Sequence, residues 1–188
     1  PAAWQWSALL RTWKEDATWN DLWHVPGLLC ERAGWENDPV RSRERFLAQL
    51  QDVPAGEWRL ISDLAQQVKT ADPDFQRPNG DYNSWYIRNA HSDELLIGFE
   101  HWEAIEGALI AYYLRRPLHW LGVVDLGYPQ EGQETPIAFR VTPAGVGFLS
   151  GIEEETPPPA AAPAPLELGD DLHIRLAPGA TLYHRLQV

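Results

Sequence analysis

Residues 99–145, FEHWEAIEGALIAYYLRRPLHWLGVVDLGYPQEGQETPIAFRVTPAG, decide the fold of this chain. Apolar residues at three- and four-residue steps predict a helix over residues 100–115. Residues 118–126 then predict a strand, residues 129–136 a turn-rich loop, and residues 137–141 a partner strand. A helix followed by a two-stranded antiparallel ribbon is typical of the closing half of a winged helix-turn-helix. The buried face of the predicted helix carries Trp102, Ile105, Leu109 and Tyr112.

The preceding segment predicts the opening half of the same fold. Asp38 and Pro39 predict a helix start, with Asp38 as the N-cap and Pro39 at the first helical position. Residues 57–61 predict a short strand, and Ser62 predicts the cap of a second helix that ends before Pro73. The predicted fold class is therefore α+β, a winged helix-turn-helix with extra N-terminal helices and a short C-terminal β segment.

Composition shifts predict four parts of the chain. Residues 1–37 form an N-terminal helical extension, and residues 38–150 form the winged-helix domain. Residues 151–165 are an acidic, Pro/Ala-rich linker, since EEETPPPAAAPAP has no apolar face. Residues 166–188 resemble a β-hairpin that begins a following domain, with strands expected at 172–176 and 182–186. The absence of Met and the start at Pro1 indicate a piece excised from a longer protein.

Ten tryptophans require extensive apolar cover, which core packing between helices supplies. The N-terminal helices are expected to pack through Trp4, Trp6, Trp13, Trp19 and Trp23. The predicted core includes Phe46, Leu50, Leu64, Ile105, Leu109, Trp120, Val123 and Phe139. Arg41, Arg43 and Arg45 do not share one helical face, so we expect them to lie on a solvated surface.

Charge and cysteine content narrow the function classes. The formal net charge is −12, which disfavours extensive phosphate binding because that binding comes largely from Lys and Arg. The single cysteine, Cys30, excludes an internal disulfide and a Cys-based zinc site. With no signal peptide and no apolar run of membrane-spanning length, the expected location is the cytoplasm, without membrane association.

No motif for catalysis or cofactor binding is found. The chain has neither the phosphate-binding loop GxxxxGK[ST] nor the dinucleotide fingerprint GxGxxG. His101 has no second His at metal-pair spacing, and Cys30 has no His or Asn arrangement that indicates a nucleophile. We therefore expect this fragment to be no enzyme, with no cofactor and no metal.

Nucleic-acid contact is restricted by acidic residues. The predicted third helix, over residues 100–115, displays Glu100, Glu103 and Glu106. The wing, which is the predicted loop over residues 129–136, carries Glu131 and Glu134. Neither element should therefore face phosphate. The candidate contact residues, which combine cations with rings for stacking, are Arg77, Trp85, Tyr86, Arg88, Arg115 and Arg116. The first four lie in an inserted loop ahead of the third helix. The alternative is that the aromatic rings of this insertion hold the loop against the core.

Several short sequence segments resemble those of a known protein family. EWRLISDLAQQV, DPDFQRPNGDYNSWYIR, GFEHWEAIEGALIAYYL, PLHWLGVVDLG and FRVTPAG resemble bacterial XPB-like helicase-associated (helicase C-terminal-like) proteins, which carry winged-helix segments. The resemblance covers most of residues 4–150. The motor motifs of a helicase are absent here, so the resemblance implies no ATPase residue in this chain.

Three functions are compatible with these observations. The first is a non-catalytic accessory module of a helicase-related, DNA-processing protein, with single-stranded or forked DNA and other domains of the parent chain as partners. The second is a protein-interaction scaffold that binds no nucleic acid. The third is a ligand-sensing regulator whose aromatic insertion walls a small-molecule pocket.

Overall fold

The computed structural model describes residues 3–31, 34–130, 132–151, 166–168 and 174–176. The chain divides into two compact units, residues 1–153 and residues 154–188. The mixture of helices and strands confirms the α+β class.

Two helices open the first unit where the sequence places them. Helix α1 covers Ala3–Glu15, and a short 3-10 turn follows at Asp21–His24. Helix α2 covers Pro39–Gln51, and the Asp38 carboxylate caps it by accepting a hydrogen bond from the Arg41 N–H. The predicted cap at Asp38 is therefore confirmed.

Helix α3 covers Ile61–Ala71 and begins two residues earlier than a cap at Ser62 would place it. Its N-cap is Leu60, which makes no side-chain capping bond. The prediction that Ser62 caps this helix is wrong, because Ser62 already lies inside the first turn and its hydroxyl bonds the Asp63 carboxylate.

The central helical segment (residues 99–118) is longer and less regular than predicted. It consists of a 3-10 turn at Phe99–His101, a π turn at Glu103–Gly107, helix α4 at Ala108–Tyr113 and a second π turn at Leu114–Leu118. Pro117 lies inside the second π turn. Since Pro has no N–H and its ring crowds the preceding turn, a widened turn is an expected response of the helix.

Two small antiparallel sheets complete the first unit. Strand β2 (Arg59–Leu60) and strand β4 (Val124–Gly127) flank strand β5 (Ala138–Val141), in the order β2-β5-β4. Val124 pairs with Val141 and Gly127 with Ala138, which confirms the predicted antiparallel pairing. The predicted start of the first strand at residue 118 is wrong, because residues 118–120 still belong to the helical segment and the strand begins at Val124. Helix α5 (Pro143–Leu149) follows and is capped by the Thr142 hydroxyl. The second sheet, which the sequence did not predict, pairs β1 (Leu28–Cys30) with β3 (Ile87–Asn89).

One hydrophobic core joins these elements. It includes Leu10, Leu22 and Val25 from the N-terminal part of the chain together with the helices and the three-stranded sheet. Seven predicted core residues are buried: Phe46, Leu50, Leu64, Ile105, Leu109, Val123 and Phe139. Trp120 was predicted to belong to this core and is instead 60% exposed. The helical conformation continues to residue 120, so Trp120 does not occupy the inward position that a strand would have provided.

Some predictions fall outside the described residues. The linker over residues 152–165, the expected strand at 182–186, the wing residue Glu131 and the side chains of Trp4 and Trp6 are among them. In the second unit, strand β6 (Leu166–Leu168) pairs antiparallel with strand β7 (Ile174–Leu176). Strand β7 overlaps the predicted strand at 172–176.

Candidate functional site

The insertion ahead of the central helical segment is held by a buried ion pair. The Arg77 Nε donates to Glu106 Oε1 at 2.6 Å, and both side chains are almost fully inaccessible. Gln76 Nε2 donates to the same oxygen at 2.9 Å, and Arg77 Nη1 donates to the Asp81 carbonyl. Burial raises the pKa of Glu106, while Arg77 beside it lowers that pKa. Two expectations are therefore wrong: Arg77 is not an exposed cation, and Glu106 is not displayed with Glu100 and Glu103.

Aromatic rings surround this ion pair. The Arg77 guanidinium lies 4.3 Å from the Trp85 ring centroid and 4.8 Å from that of Tyr82. Trp85 is buried and stacks on Trp35 at 4.7 Å. These rings pack against the core, as the alternative interpretation of the insertion expected. Arg77 and Trp85 are consequently excluded from any contact surface of the folded protein.

The other two candidate residues of the insertion remain accessible. Tyr86 is exposed, and Arg88 forms ion pairs with Glu31 at 3.4 Å and Asp93 at 4.0 Å. Two nearby carboxylates already partly neutralise Arg88, so this part of the surface offers little net positive charge.

A groove of about 490 Å³ lies at the end of the central helical segment, and we call it the basic groove. Its walls come from the helix end, from the turn before β1, and from the region between β4 and β5. It brings together the candidate residues Arg115 and Arg116, which the insertion does not approach. The groove is also lined by the side chains of Tyr112, His119, Trp120, Tyr128 and Glu134.

The two arginines of the basic groove are held differently. Arg115 Nη2 donates to the Pro136 carbonyl at 2.8 Å, and partial burial lowers the pKa of its guanidinium. Arg115 Nε is buried and has no hydrogen-bond partner within the described part of the chain. Arg116 is exposed, and its guanidinium lies 5.4 Å from the Trp120 ring. The groove therefore combines a positioned cation, a solvated cation and an exposed indole.

His119 and Tyr128 extend the same wall. The His119 Nδ1 lies 3.1 Å from the Val124 carbonyl oxygen, which connects the helix end to strand β4. Tyr128 is exposed directly after that strand. Sequence reasoning missed Trp120, Tyr128 and His119 as site residues. Pro117 gave the opposite signal, since a proline ordinarily ends a helix, whereas the helical conformation here continues to residue 120.

A second, more apolar groove of about 320 Å³ adjoins the first, and we call it the tryptophan groove. Tyr112 and Trp120 line both grooves. The remaining walls of the tryptophan groove are formed by Leu9, Thr12, Trp13, Asp16, Trp19, Asp21, Pro117 and Leu121.

A buried ion pair fixes the rings of the tryptophan groove. Trp13 Nε1 and Trp19 Nε1 donate to Asp21 Oδ1 at 3.1 and 3.2 Å. Arg43 Nε donates to the other oxygen of Asp21 at 2.6 Å, and its Nη1 donates to the Asp16 carbonyl at 2.7 Å. The predicted solvated position of Arg43 is therefore wrong, because its side chain is enclosed with that of Asp21.

A metal centre and a membrane-spanning helix are both absent from the described residues. No group of three or more His, Cys, Asp or Glu side chains among them is placed to hold a metal ion. None of the helices in this described part is long and apolar enough to cross a membrane.

Comparison with known proteins adds no further constraint. Neither the family models, nor the curated proteins, nor the solved structures include a match to this chain. The resemblance to XPB-like helicase-associated proteins stays a prediction carried by the sequence segments quoted above.

Proposed function

We propose that this chain is a non-catalytic winged-helix module of a helicase-related, DNA-processing protein. The element order supports this proposal: helix α2, strand β2, helix α3, the central helical segment, strand β4 and strand β5. The sheet order also supports it, since β5 lies between β2 and β4 and the loop between β4 and β5 has the position of a wing.

We propose that the module contacts single-stranded DNA through the basic groove. The observation that carries this proposal is the exposed Trp120 ring beside Arg116, with Arg115 and Tyr128 in the same groove. Single strands are bound by combining cations for the phosphates with aromatic rings on which bases stack. Such contact is compatible with a net charge of −12, because it requires only a local excess of cations, and in this groove Arg115 and Arg116 outnumber the single carboxylate of Glu134.

Reading a duplex through its major groove is less well supported. In that mode the central helical segment would enter the groove. Its first half exposes Glu100 and Glu103, and Glu103 forms an ion pair with Lys69 at 3.1 Å. Carboxylates placed against phosphate oppose binding, so the basic end of the segment is the favoured contact.

Fluorescence anisotropy of a labelled oligothymidylate of ~15 nucleotides tests the proposal. Arg116→Glu should weaken binding strongly, whereas Arg41→Glu makes the same change of charge on exposed α2 and should alter the affinity little. Trp120→Ala should also weaken binding, with Trp58→Ala as its exposed aromatic control. Equal effects of Arg116→Glu and Arg41→Glu would indicate a general charge effect and reject the groove as the contact site.

A protein-interaction scaffold is the second candidate function, and the outer face of the three-stranded sheet favours it. Trp58 and Leu60 are exposed there. The Arg140 guanidinium lies 4.9 Å from the Trp58 ring, so the indole is held in place without being covered. If the oligonucleotide does not bind even at low salt, this function is favoured over the first.

A further inference from the structure

The tryptophan groove is built before any ligand arrives. Asp21 holds the indole N–H groups of Trp13 and Trp19 with a single carboxylate oxygen, and Arg43 holds the other oxygen. Trp19 also stacks on His24, with ring centroids 3.9 Å apart and planes 4° apart. Rings fixed in this way lose little conformational freedom when a ligand binds, which favours affinity.

The chemistry of this groove selects a flat, neutral group. Its walls are mainly indole, phenol and aliphatic surface. Asp16 lies at the edge, and hydrogen bonds from Thr18 to its Oδ1 lower the pKa of the carboxyl group. A carboxylate at the edge repels phosphate, whereas an uncharged ring can enter and stack.

The two grooves share two lining residues, Tyr112 and Trp120. The basic groove is lined by the cations Arg115 and Arg116 and by one carboxylate, that of Glu134, whereas the tryptophan groove is lined mainly by apolar surface, including Pro117. A single-stranded nucleic acid has the same division, with anionic phosphates on one side and neutral planar bases on the other.

From this juxtaposition we propose that the tryptophan groove is a base-binding subsite, which receives an unpaired nucleobase of a strand whose phosphates lie in the basic groove. The inference rests on the proposed function and specifies which part of the strand each groove binds: the phosphates in the basic groove and a base in the tryptophan groove. Base contacts of this kind are sequence-tolerant, since every base presents a planar face.

The test compares two labelled strands of equal length, an oligothymidylate and a base-free sugar-phosphate strand. The full chain should bind the strand with bases about tenfold more tightly, as expected for stacking of one base. Leu9→Gln changes an exposed wall of the tryptophan groove, and it should reduce the ratio of the two affinities about fivefold. It should leave the affinity for the base-free strand unchanged.

Leu29→Gln is the matched control. Leu29 is 52% exposed and Leu9 is 50% exposed, but Leu29 lies in β1 and lines neither groove. Leu9→Ala repeats the test without adding a polar group, and circular dichroism verifies that each variant is folded.

Each outcome is decisive for the inference. A preference for bases that is reduced by Leu9→Gln and retained in Leu29→Gln supports the base-binding subsite. Equal affinity for both strands, or an equal effect of Leu9→Gln on both, overturns the subsite and leaves the proposed function intact. Binding of neither strand overturns the proposed function and the subsite together.

Discussion

Arg77 in the insertion and Arg116 at the end of the central helical segment have similar sequence surroundings and opposite positions in the fold. Arg77 contacts the ring of Tyr82, five residues later, and Arg116 contacts the ring of Trp120, four residues later. Arg77 is 2% exposed and bonded to Glu106, whereas Arg116 lies beside the open Trp120 ring.

The comparison shows that the role of an arginine, in folding or in ligand binding, depends on whether the fold places a buried carboxylate beside it. Glu106 is 29 residues away from Arg77 in the chain and faces it from a π turn of the central helical segment. The ion pair between Arg77 and Glu106 holds the insertion against the core, where Trp85 is buried. A cation used in this way contributes to folding, whereas Arg116 in the basic groove stays exposed to a ligand.

The largest expected effect in this comparison is that of Arg77→Glu on stability. It places a second carboxylate against Glu106 in an enclosed site, so we expect a loss of about 5 kcal/mol in the free energy of unfolding. Urea denaturation followed by tryptophan fluorescence measures this loss. The double variant Arg77→Met with Glu106→Leu should recover most of it, because no buried charge is then left unpaired. A loss below about 1 kcal/mol for Arg77→Glu would show that the pair is exposed in solution.

The next largest effect is a difference in stability between variants of Trp85 and Trp120. Trp85→Ala removes a buried ring that contacts Trp35 and Arg77, and should cost about 3 kcal/mol. Trp120→Ala removes an exposed ring, and should change stability by about 0.5 kcal/mol or less. Thermal denaturation of both variants under identical conditions checks the contrast. Similar losses for the two variants would contradict the assignment of Trp85 to folding and Trp120 to the surface.

The smallest effect is expected for Arg88→Glu. Arg88 is partly exposed and pairs with Glu31 and Asp93, so reversal of its charge should cost about 1 kcal/mol or less. Added salt should reduce even that loss, because exposed ion pairs are screened. Denaturation at low and high salt measures it. A loss comparable with that of Arg77→Glu would show that this surface pair is also structural.

Local patterns in the sequence were sufficient for much of the fold. Asp38 with Pro39 is a capping signal that acts within one helical turn, and helix α2 begins as predicted. The ribbon formed by β4 and β5 follows from two apolar runs separated by turn residues. These features depend on neighbours in the chain, which the sequence displays directly.

The positions of the charged residues could not be predicted in the same way. Arg43 is paired with Asp21, which lies 22 residues earlier in the chain. Helical periodicity relates only residues a few positions apart, so it could not predict this pair. The pairing of β1 with β3 likewise joins segments separated by α2 and α3. Trp120 is exposed because the helix continues past Pro117, although a proline ordinarily ends a helix.

The salt dependence of single-strand binding tests the central claim most directly. For the wild-type chain, the slope of log affinity against log salt concentration should be about −1.4, from two phosphate contacts by Arg115 and Arg116. Arg116→Glu should make the slope shallower by about 0.7 or more, and Arg88→Glu should leave it unchanged. A slope that Arg116→Glu does not alter, or one that Arg88→Glu abolishes, would contradict the assignment of DNA contact to the basic groove.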